Sequence, residues 1–252
     1  MQLPYRAIPA ISAAGLFVAL PSVSQAQATQ GTYLAIEAQT DHRQRGLSWS
    51  DGRPALSAVA TIPATDSLAF DMEALTLRDS ARHGGADAGF IVAPRLAVSS
   101  GPFAVTAGVR GNVFVGRAGM SFVEATGEIE HTIGPARLVV GAAFAPSQAA
   151  IGGDNLRLDA DVSVGIPGLP LTIYGGAGHN SGSTQDRPRS FRLRPGGDYM
   201  DYRLGVEHTG RHISAGMRYS DTSIGRDEVN PQSPYYDRHY GARIVAYLRI
   251  TP

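Results

Sequence analysis

Charged side chains recur at every second position along much of this 252-residue sequence. In the stretch 155–166, Arg157, Asp159 and Asp161 alternate with apolar residues, a period of two that places the charges on one face of a β-strand. The other members of this charged set are Glu37, Asp71, Glu73, Arg110, Glu124, Glu128, Glu130, Arg203, Glu207, Arg218, Arg243 and Arg249. If the strands enclose a central space, these charged groups face it. They then either line a water-filled lumen and set its ion preference, or pair across a narrower interior and fill it. The sequence leaves both alternatives open.

A second candidate chemistry is nucleophilic. His179 lies two residues before Ser181, and residues two apart on a strand share a face, so a base and a nucleophile can meet. A third group such as Glu207 would have to orient the imidazole. Because the segment is rich in glycine and enters the longest loop, turn chemistry explains these residues more simply. The sequence is therefore not interpreted as an enzyme.

No metal or cofactor site is predicted. His208 and His212 lie four apart, but across a tight turn, and no His/Asp cluster has ligand spacing. Calcium at Asp154-Asn155 or at Asp159 and Asp161 is a weaker alternative. The Gly-Gly pairs lack the strand-to-helix context of a phosphate-binding loop.

The composition and the N-terminus restrict the class of protein. An apolar run from Ile8 to Leu20, followed by Ser24-Gln25-Ala26, predicts a signal peptide over 1–26 and a mature chain beginning near Gln27. The sequence has no cysteine, so an exported domain must hold together without disulfides. Basic and acidic residues balance at 22 each, which gives no basis for nucleic-acid binding.

Turn signals divide the remaining chain into about twelve candidate strands, each about the length that a tilted membrane strand needs. They are expected near 32–40, 54–63, 67–77, 86–97, 102–115, 119–132, 135–145, 155–166, 170–179, 199–209, 211–221 and 236–250. Beyond the signal, no apolar run reaches the roughly 20 residues of a membrane helix.

The links between these strands alternate in length. Links after even-numbered strands are tight: Ala64 to Asp66, Ser99 to Gly101, Ile133-Gly134, Pro167 to Leu169, and Gly210. Most links after odd-numbered strands are longer and polar: Asp41 to Arg53, Arg78 to Gly85, Pro146 to Asp154, Asn180 to Asp198, and Thr222 to Tyr235, with a short one at Gly116 to Ala118. Short turns on one rim and long loops on the other are typical of an outer-membrane barrel, with both termini on the short-turn, periplasmic side.

The segment Tyr33 to Leu56 contains a motif with many closely spaced matching positions. It fits the pattern T/S-D-x-R-x-R-G-(I/L)-S-x-(S/T)-D-G-x-P-A-L through Thr40, Asp41, Arg43, Arg45, Gly46, Leu47, Ser48, Ser50, Asp51, Gly52, Pro54, Ala55 and Leu56. This segment resembles the opening of the TorF-type porins, a family of bacterial outer-membrane barrels. The links at Ala145 to Asn155 and Leu193 to Gly197 also resemble that family. The resemblance implies a pore or channel role.

The residue types of the first loop also predict how it folds. Asp41, Arg43, Arg45 and Asp51 are expected to form a charge-paired cluster, and Gly46 and Gly52 to permit tight turns around Ser48. Two alternatives remain: a clasp that orders the loop, or a constriction that selects solutes.

These observations together predict an all-β fold. We expect residues 27–252 to form a single antiparallel transmembrane β-barrel of about twelve strands in the outer membrane. The expected function is passive diffusion of small polar solutes or ions, with a closed structural or surface-binding barrel as the alternative. Expected partners are outer-membrane lipids, the barrel-assembly machinery and the solutes.

Overall fold

A computed structural model describes residues 31–252. The signal peptide predicted over 1–26 lies outside the described residues. Within them, no helix has the length and apolar character needed to cross a membrane.

The described chain is almost entirely β-structure. The strands are β1 (Tyr33–Gln39), β2 (Arg43–Gln44), β3 (Leu47–Ser48), β4 (Ala55–Pro63), β5 (Leu68–Ser80), β6 (Ala86–Ser100), β7 (Phe103–Phe114), β8 (Phe122–Ile133), β9 (Ala136–Gln148), β10 (Gly153–Gly165), β11 (Leu171–Ser181), β12 (Tyr199–Thr209), β13 (Ile213–Thr222) and β14 (Arg243–Ile250). One short helix, α1 (Arg187–Ser190), and three single turns of 3₁₀ helix lie in the links. Except for the last, the barrel strands match the sequence-derived positions to within about three residues at each end.

All strands except β2 and β3 form one closed antiparallel barrel, which confirms the predicted fold class. Neighbours in sequence pair with each other, and β1 closes the ring by pairing with β14. Glu37 on β1 faces Arg249 on β14 across this seam, and the two side chains form an ion pair with Nη2 of the arginine 2.6 Å from Oε2 of the glutamate. Closure leaves no strand edge with unpaired backbone groups.

The wall has an apolar outside and a charged inside. On β10, Leu158 is 49% exposed and Val162 47% exposed, whereas Arg157 is 2% exposed and Asp159 7% exposed. Large apolar side chains of the other barrel strands are exposed in the same way, among them Leu204 and Val105. A surface of this kind is unfavourable in water and favourable in hydrocarbon, so the barrel is a membrane-spanning one.

The link lengths also alternate between the two rims. The short rim consists of 64–67, 101–102, 134–135, 166–170 and 210–212. The other rim consists of 40–54, 81–85, 115–121, 149–152, 182–198 and 223–242, which we call the long-side links. Two of these, 81–85 and 149–152, are shorter than expected, because β5 and β9 continue beyond their predicted ends.

The last strand was placed too early by the sequence pattern. It begins at Arg243 and not near residue 236, because the preceding segment packs into the barrel mouth, where Tyr240 is buried. Tyr199 also points inward and is buried, which excludes it from the outer surface.

Candidate functional site

The first loop folds back into the mouth of the barrel. Strands β2 and β3 pair as a small hairpin whose turn is Arg45-Gly46, both with positive φ. A Cβ atom at Gly46 would collide with the Thr222 side chain and lie 2.9 Å from the Asp201 Cβ. Glycine is therefore required both for the turn and for the close approach of the hairpin to the wall.

Asp41 organises the base of this hairpin. Its buried carboxylate accepts hydrogen bonds from Ser48 Oγ at 2.6 Å and Ser50 Oγ at 3.2 Å, and pairs with Arg43 Nη1 at 3.2 Å. The Ser48 hydroxyl also accepts a bond from the Gly52 N–H. The loop is thus held by a compact polar cluster around one carboxylate.

The expected four-member charge cluster of the loop does not form. Arg45 instead reaches Glu124 on β8, with Nη2 2.5 Å from Oε1. Asp51 faces outward beside Arg53 and His239. Both residues have positive φ. Because β8 lies across the barrel from β12 and β13, the hairpin spans the lumen between opposite walls.

Buried Arg82 links the first loop to other long-side links. Its Nε donates to the Ser48 carbonyl at 3.1 Å, and its Nη1 donates to the Arg192 carbonyl at 2.9 Å. Its Nη2 lies 3.8 Å from the Asp237 carboxylate. One side chain thereby contacts the segments 40–54, 182–198 and 223–242.

Buried Arg192 supplies the remaining connections. It donates to the carbonyls of Arg82, Met120 and Ala150, in the segments 81–85, 115–121 and 149–152. Its guanidinium lies 5.2 Å from the centre of the Phe114 ring, a cation–π contact. Burial lowers the pKa of Arg192 to about 9. Together the two arginines join every long-side link into one layer, which we call the cap.

The cap has an apolar interior. Trp49 packs against His83 with ring centres 4.4 Å apart, and His83 stacks on Phe114 at 4.4 Å. Neither ring nitrogen of His83 has a hydrogen-bond partner in the described structure. Burial, with the charges of Arg192, Arg82 and His42, lowers the pKa of His83 well below its ordinary value. The residue is therefore held as a neutral aromatic ring.

Below the cap, charged side chains pair along the inner wall of the lumen. Arg157 on β10 contacts Asp201 on β12 through both terminal nitrogens and lies 3.3 Å from Asp159 through Nε. Arg203 on β12 pairs with Asp161 on β10 through Nε at 2.7 Å. These contacts join strands on either side of β11, so the charges of this part of the wall are neutralised within it.

A second polar layer lies nearer the short rim. Glu207 accepts a hydrogen bond from the Tyr247 hydroxyl at 2.9 Å and lies 3.4 Å from Arg249 Nη1. Arg249 also pairs with Glu37, and the hydroxyls of Tyr174 and Tyr247 lie 3.2 Å apart. This layer crosses the seam of the barrel from β11 to β1.

The other predicted lumen residues are less clustered. Arg110 on β7 is buried directly opposite Glu124 on β8, and Glu128 is half-buried on the same inward face. Arg218 on β13 is buried and points inward. Arg243 has the inward parity but lies exposed at the long rim, where it donates to the Gly52 carbonyl at 3.1 Å.

The nucleophilic constellation is not assembled. His179 and Ser181 share the parity of Ile173, which is exposed on the outer face of β11, whereas Glu207 is buried inside. Glu207 also pairs in register with Thr172, far along β11 from His179. The three groups therefore lie on opposite faces of the wall.

One group of possible metal ligands occurs where none was expected. Asp51, Asp237 and His239 place carboxylate and imidazole atoms within 4.8 Å of one another. The backbone N–H of His239 donates to Asp237 Oδ1, and its Nδ1 lies 2.8 Å from the same oxygen. Although burial raises the pKa of Asp237, the His239 hydrogen bond and the Arg82 charge bring it below the ordinary value. A hydrogen-bonded pair explains this group without a metal.

Solved structures with a similar fold include two porins and an outer membrane channel. The KdgM porin matches with a TM-score of 0.56 at 5% identity, over 87% of this chain and 98% of that chain. The NanC porin matches with a TM-score of 0.56 at 11% identity, over 86% and 98%. The COG4313 outer membrane channel from Pseudomonas putida F1 matches with a TM-score of 0.53 at 10% identity, over 87% and 94%. At such low identity these likenesses establish the fold alone.

Comparison of the sequence itself gives the family. No curated protein matches the sequence. Residues 25–244 match the family model described as "Bacterial protein of unknown function (Gcw_chp)", and the chain belongs to that family.

Proposed function

We propose that this protein is a porin-like channel of the outer membrane, of the TorF type that its first-loop motif resembles. It passes small polar solutes or ions by passive diffusion. The observation that carries the proposal is a closed wall with hydrocarbon-compatible side chains outside and arginines and carboxylates inside. Such an interior suits a lumen that holds water or charged solutes, because charges left unpaired in a dry interior are costly.

The cap is the part of the channel that limits passage. It closes the long rim with buried side chains from every long-side link, including Trp49, Arg82 and Arg192. Solutes pass only when the cap or the hairpin at its centre moves. The channel is accordingly narrow and opens infrequently.

The same wall supports an outer-membrane location. Outer-membrane lipids surround the apolar belt, and the barrel-assembly machinery inserts the chain. The short rim faces the periplasm and the cap faces outward. Fractionation of cells that express the protein tests this location, since the protein must sediment with outer-membrane markers.

Conductance in a planar bilayer tests the channel. Folded wild-type protein should give infrequent single-channel steps, and Arg192→Ala, which weakens the cap, should give steps more often. Arg226→Ala serves as the control, because Arg226 is exposed in the segment 223–242. A silent membrane with both wild type and Arg192→Ala, each inserted and folded, would overturn the proposal.

A closed barrel with a structural or surface-binding role is the second candidate. The buried arginines of the cap favour it, because they make the long rim a continuous surface. An absence of conductance steps from the cap variants in the bilayer supports this candidate. A third possibility, a lipid hydrolase, is disfavoured by the separation of His179, Ser181 and Glu207. We propose that the protein is not an enzyme, and lipid cleavage that disappears in Ser181→Ala would contradict this.

A further inference from the structure

A small cavity lies beneath the tip of the first-loop hairpin, inside the barrel. Its volume is about 20 Å³. Five arginines line it, Arg43, Arg45, Arg157, Arg203 and Arg218, with Asp201 as the one lining carboxylate among the described residues. The carboxylates that pair with the other arginines, such as Glu124 and Asp161, do not line the cavity. The immediate lining of the cavity therefore has more positive than negative groups, although four of the five arginines are paired with carboxylates.

Arg218 is the arginine that lacks a counter-charge. It is 5% exposed, and among the described residues it has neither an ion pair nor a hydrogen bond to a protein group. The other four lining arginines each contact a carboxylate, for example Arg43 with Asp41 and Arg45 with Glu124. A buried guanidinium without a partner is strongly disfavoured, so a group absent from the chain is expected beside it.

The barrel register explains why the chain supplies no partner. Arg218 pairs with Gly205 on β12 and with Val245 on β14, neither of which carries an acceptor in its side chain. The space that a side chain at Gly205 would occupy is filled by the Tyr174 ring. The nearest inward carboxylate on β12, Glu207, is already bound to Tyr247 and Arg249.

Further donors around the cavity are also unused. Arg43 Nε and Arg45 Nη1 are buried and have no hydrogen-bond acceptor in the described structure. Burial lowers the pKa of the Arg43 guanidinium, Asp41 opposes this, and Arg218 and Arg82 lower it further. The hairpin residues that line the cavity thus carry two unused N–H donors.

We propose that this cavity binds a small inorganic anion of about the size of chloride, held by Arg218 with donors from Arg43 and Arg45. The volume admits about one species of the size of water, which chloride approaches. Charge-assisted N–H bonds to an anion satisfy the unpaired guanidinium directly. The site goes beyond the channel proposal, because binding here does not require conduction. If the channel proposal holds as well, the anion lies beneath the hairpin in the solute path.

Bromide is the probe that tests this site. Crystals grown in bromide should show an anomalous peak within hydrogen-bond distance of the Arg218 guanidinium. Broadening of the chloride-35 resonance by the folded protein in detergent should give the affinity, with gluconate replacing chloride at constant ionic strength.

Three variants make the test decisive. Arg218→Gln should weaken halide binding by about tenfold or more, since it removes a charge-assisted contact. Ser220→Asp should abolish binding, because it places a carboxylate on the same face of β13, two residues from Arg218. Arg211→Gln, which changes an exposed arginine at the short rim, should bind as the wild type does.

The outcomes separate this inference from the channel proposal. No bromide peak in the wild type, or unchanged halide binding in Ser220→Asp, would overturn the anion site whether or not the barrel conducts. If Arg218→Gln does not fold, as judged by its gel mobility with and without heating, Ser220→Asp alone decides. A halide site in a barrel that never conducts would leave the site intact and remove the channel.

Discussion

Single arginines decide how the cap holds together. Arg82 and Arg192 are buried, and most of their N–H groups donate hydrogen bonds to backbone carbonyls of links that are far apart in sequence. A guanidinium suits this role because its planar fork presents five donors and remains charged. Each arginine replaces the regular hydrogen bonding that irregular links cannot make among themselves.

Replacing Arg192 by alanine should therefore loosen the cap. The carbonyls of Arg82, Met120 and Ala150 would each lose a buried donor, at about 1–3 kcal/mol per unsatisfied group. Limited proteolysis of the folded barrel should then cut the segments 182–198 and 223–242 faster, with the barrel strands intact. Arg226→Ala should leave the cutting rate unchanged, and equal rates for both variants would exclude this role of Arg192.

Two buried histidines should make the cap sensitive to acid. Burial lowers the pKa of His42 to about 3, with a contribution from Arg218, and the pKa of His83 lies well below its ordinary value of 6.5. Both folded-state values are depressed, so only the opened cap binds these protons as the pH falls below about 6.5. The stability of the cap is complete above that pH. It decreases by about 1.4 kcal/mol per pH unit for each histidine, until His42 also protonates in the folded cap near pH 3.

The fluorescence of Trp49, the sole tryptophan, reports this change, because its ring lies against His83. Acidification should shift its emission as the cap opens, and His83→Phe should keep the packing while reducing the pH dependence. His212→Ala, at the short rim, is the control. An identical acid response in wild type and His83→Phe would rule out His83 as a source of the pH dependence.

At the scale of elements, the β2–β3 hairpin determines whether the lumen is open at its centre. Gly46→Ala should displace it, because the new methyl group meets Thr222 and Asp201. Gly116→Ala is a matched control: Gly116 also has positive φ, but nothing lies within 4 Å of its Cβ position. Both variants incur the strain of a left-handed residue, about 1–2 kcal/mol, and only Gly46→Ala adds the collision. Larger or more frequent conductance steps in Gly46→Ala alone are expected, and equal behaviour of the two variants would show that the hairpin does not obstruct the lumen.

The strands could be predicted from the sequence and the cap could not. Alternation in β10 fixes which side chains face inward, since each position is determined by its immediate neighbours. The cap depends instead on contacts such as Arg82 with Ser48 and with Arg192, which are 34 and 110 residues apart. An arginine in a polar link has the same local signature whether it is buried or exposed, so the sequence gives no sign of these two.

The same limit explains the errors around the first loop. The spacing correctly predicted the contact between Asp41 and Arg43, because the two residues are neighbours in one short hairpin segment. Arg45 pairs with Glu124 on β8, and the separation of the first loop from β8 is set by the closed ring. The anion cavity also arises from closure, since Arg43 and Arg218 meet only after the hairpin folds inward.

The whole molecule is a barrel of intermediate size with a filled interior. Rings of about eight strands are filled by their side chains, and those of 16–18 strands leave an open aqueous channel. In this twelve-stranded ring, charged side chains pair along the inner wall, as Arg157 on β10 does with Asp201 on β12, and loops close one mouth. Its solvent preferences are therefore inverted relative to a soluble protein, with apolar side chains outside and ion pairs inside.

A charge on the outer face tests that inversion. Leu204 lies in the middle of β12 and is 59% exposed, while its neighbour Arg203 points into the lumen. In a membrane, Leu204→Arg places a guanidinium in hydrocarbon and should reduce the free energy of unfolding by about 2–4 kcal/mol. Urea titration of the protein in lipid vesicles measures this loss. Gln232→Arg, which adds the same charge at an exposed position in the segment 223–242, should have almost no effect. Equal stability of the two variants would mean that the apolar face does not contact lipid, and the membrane-spanning wall on which the channel depends would be wrong.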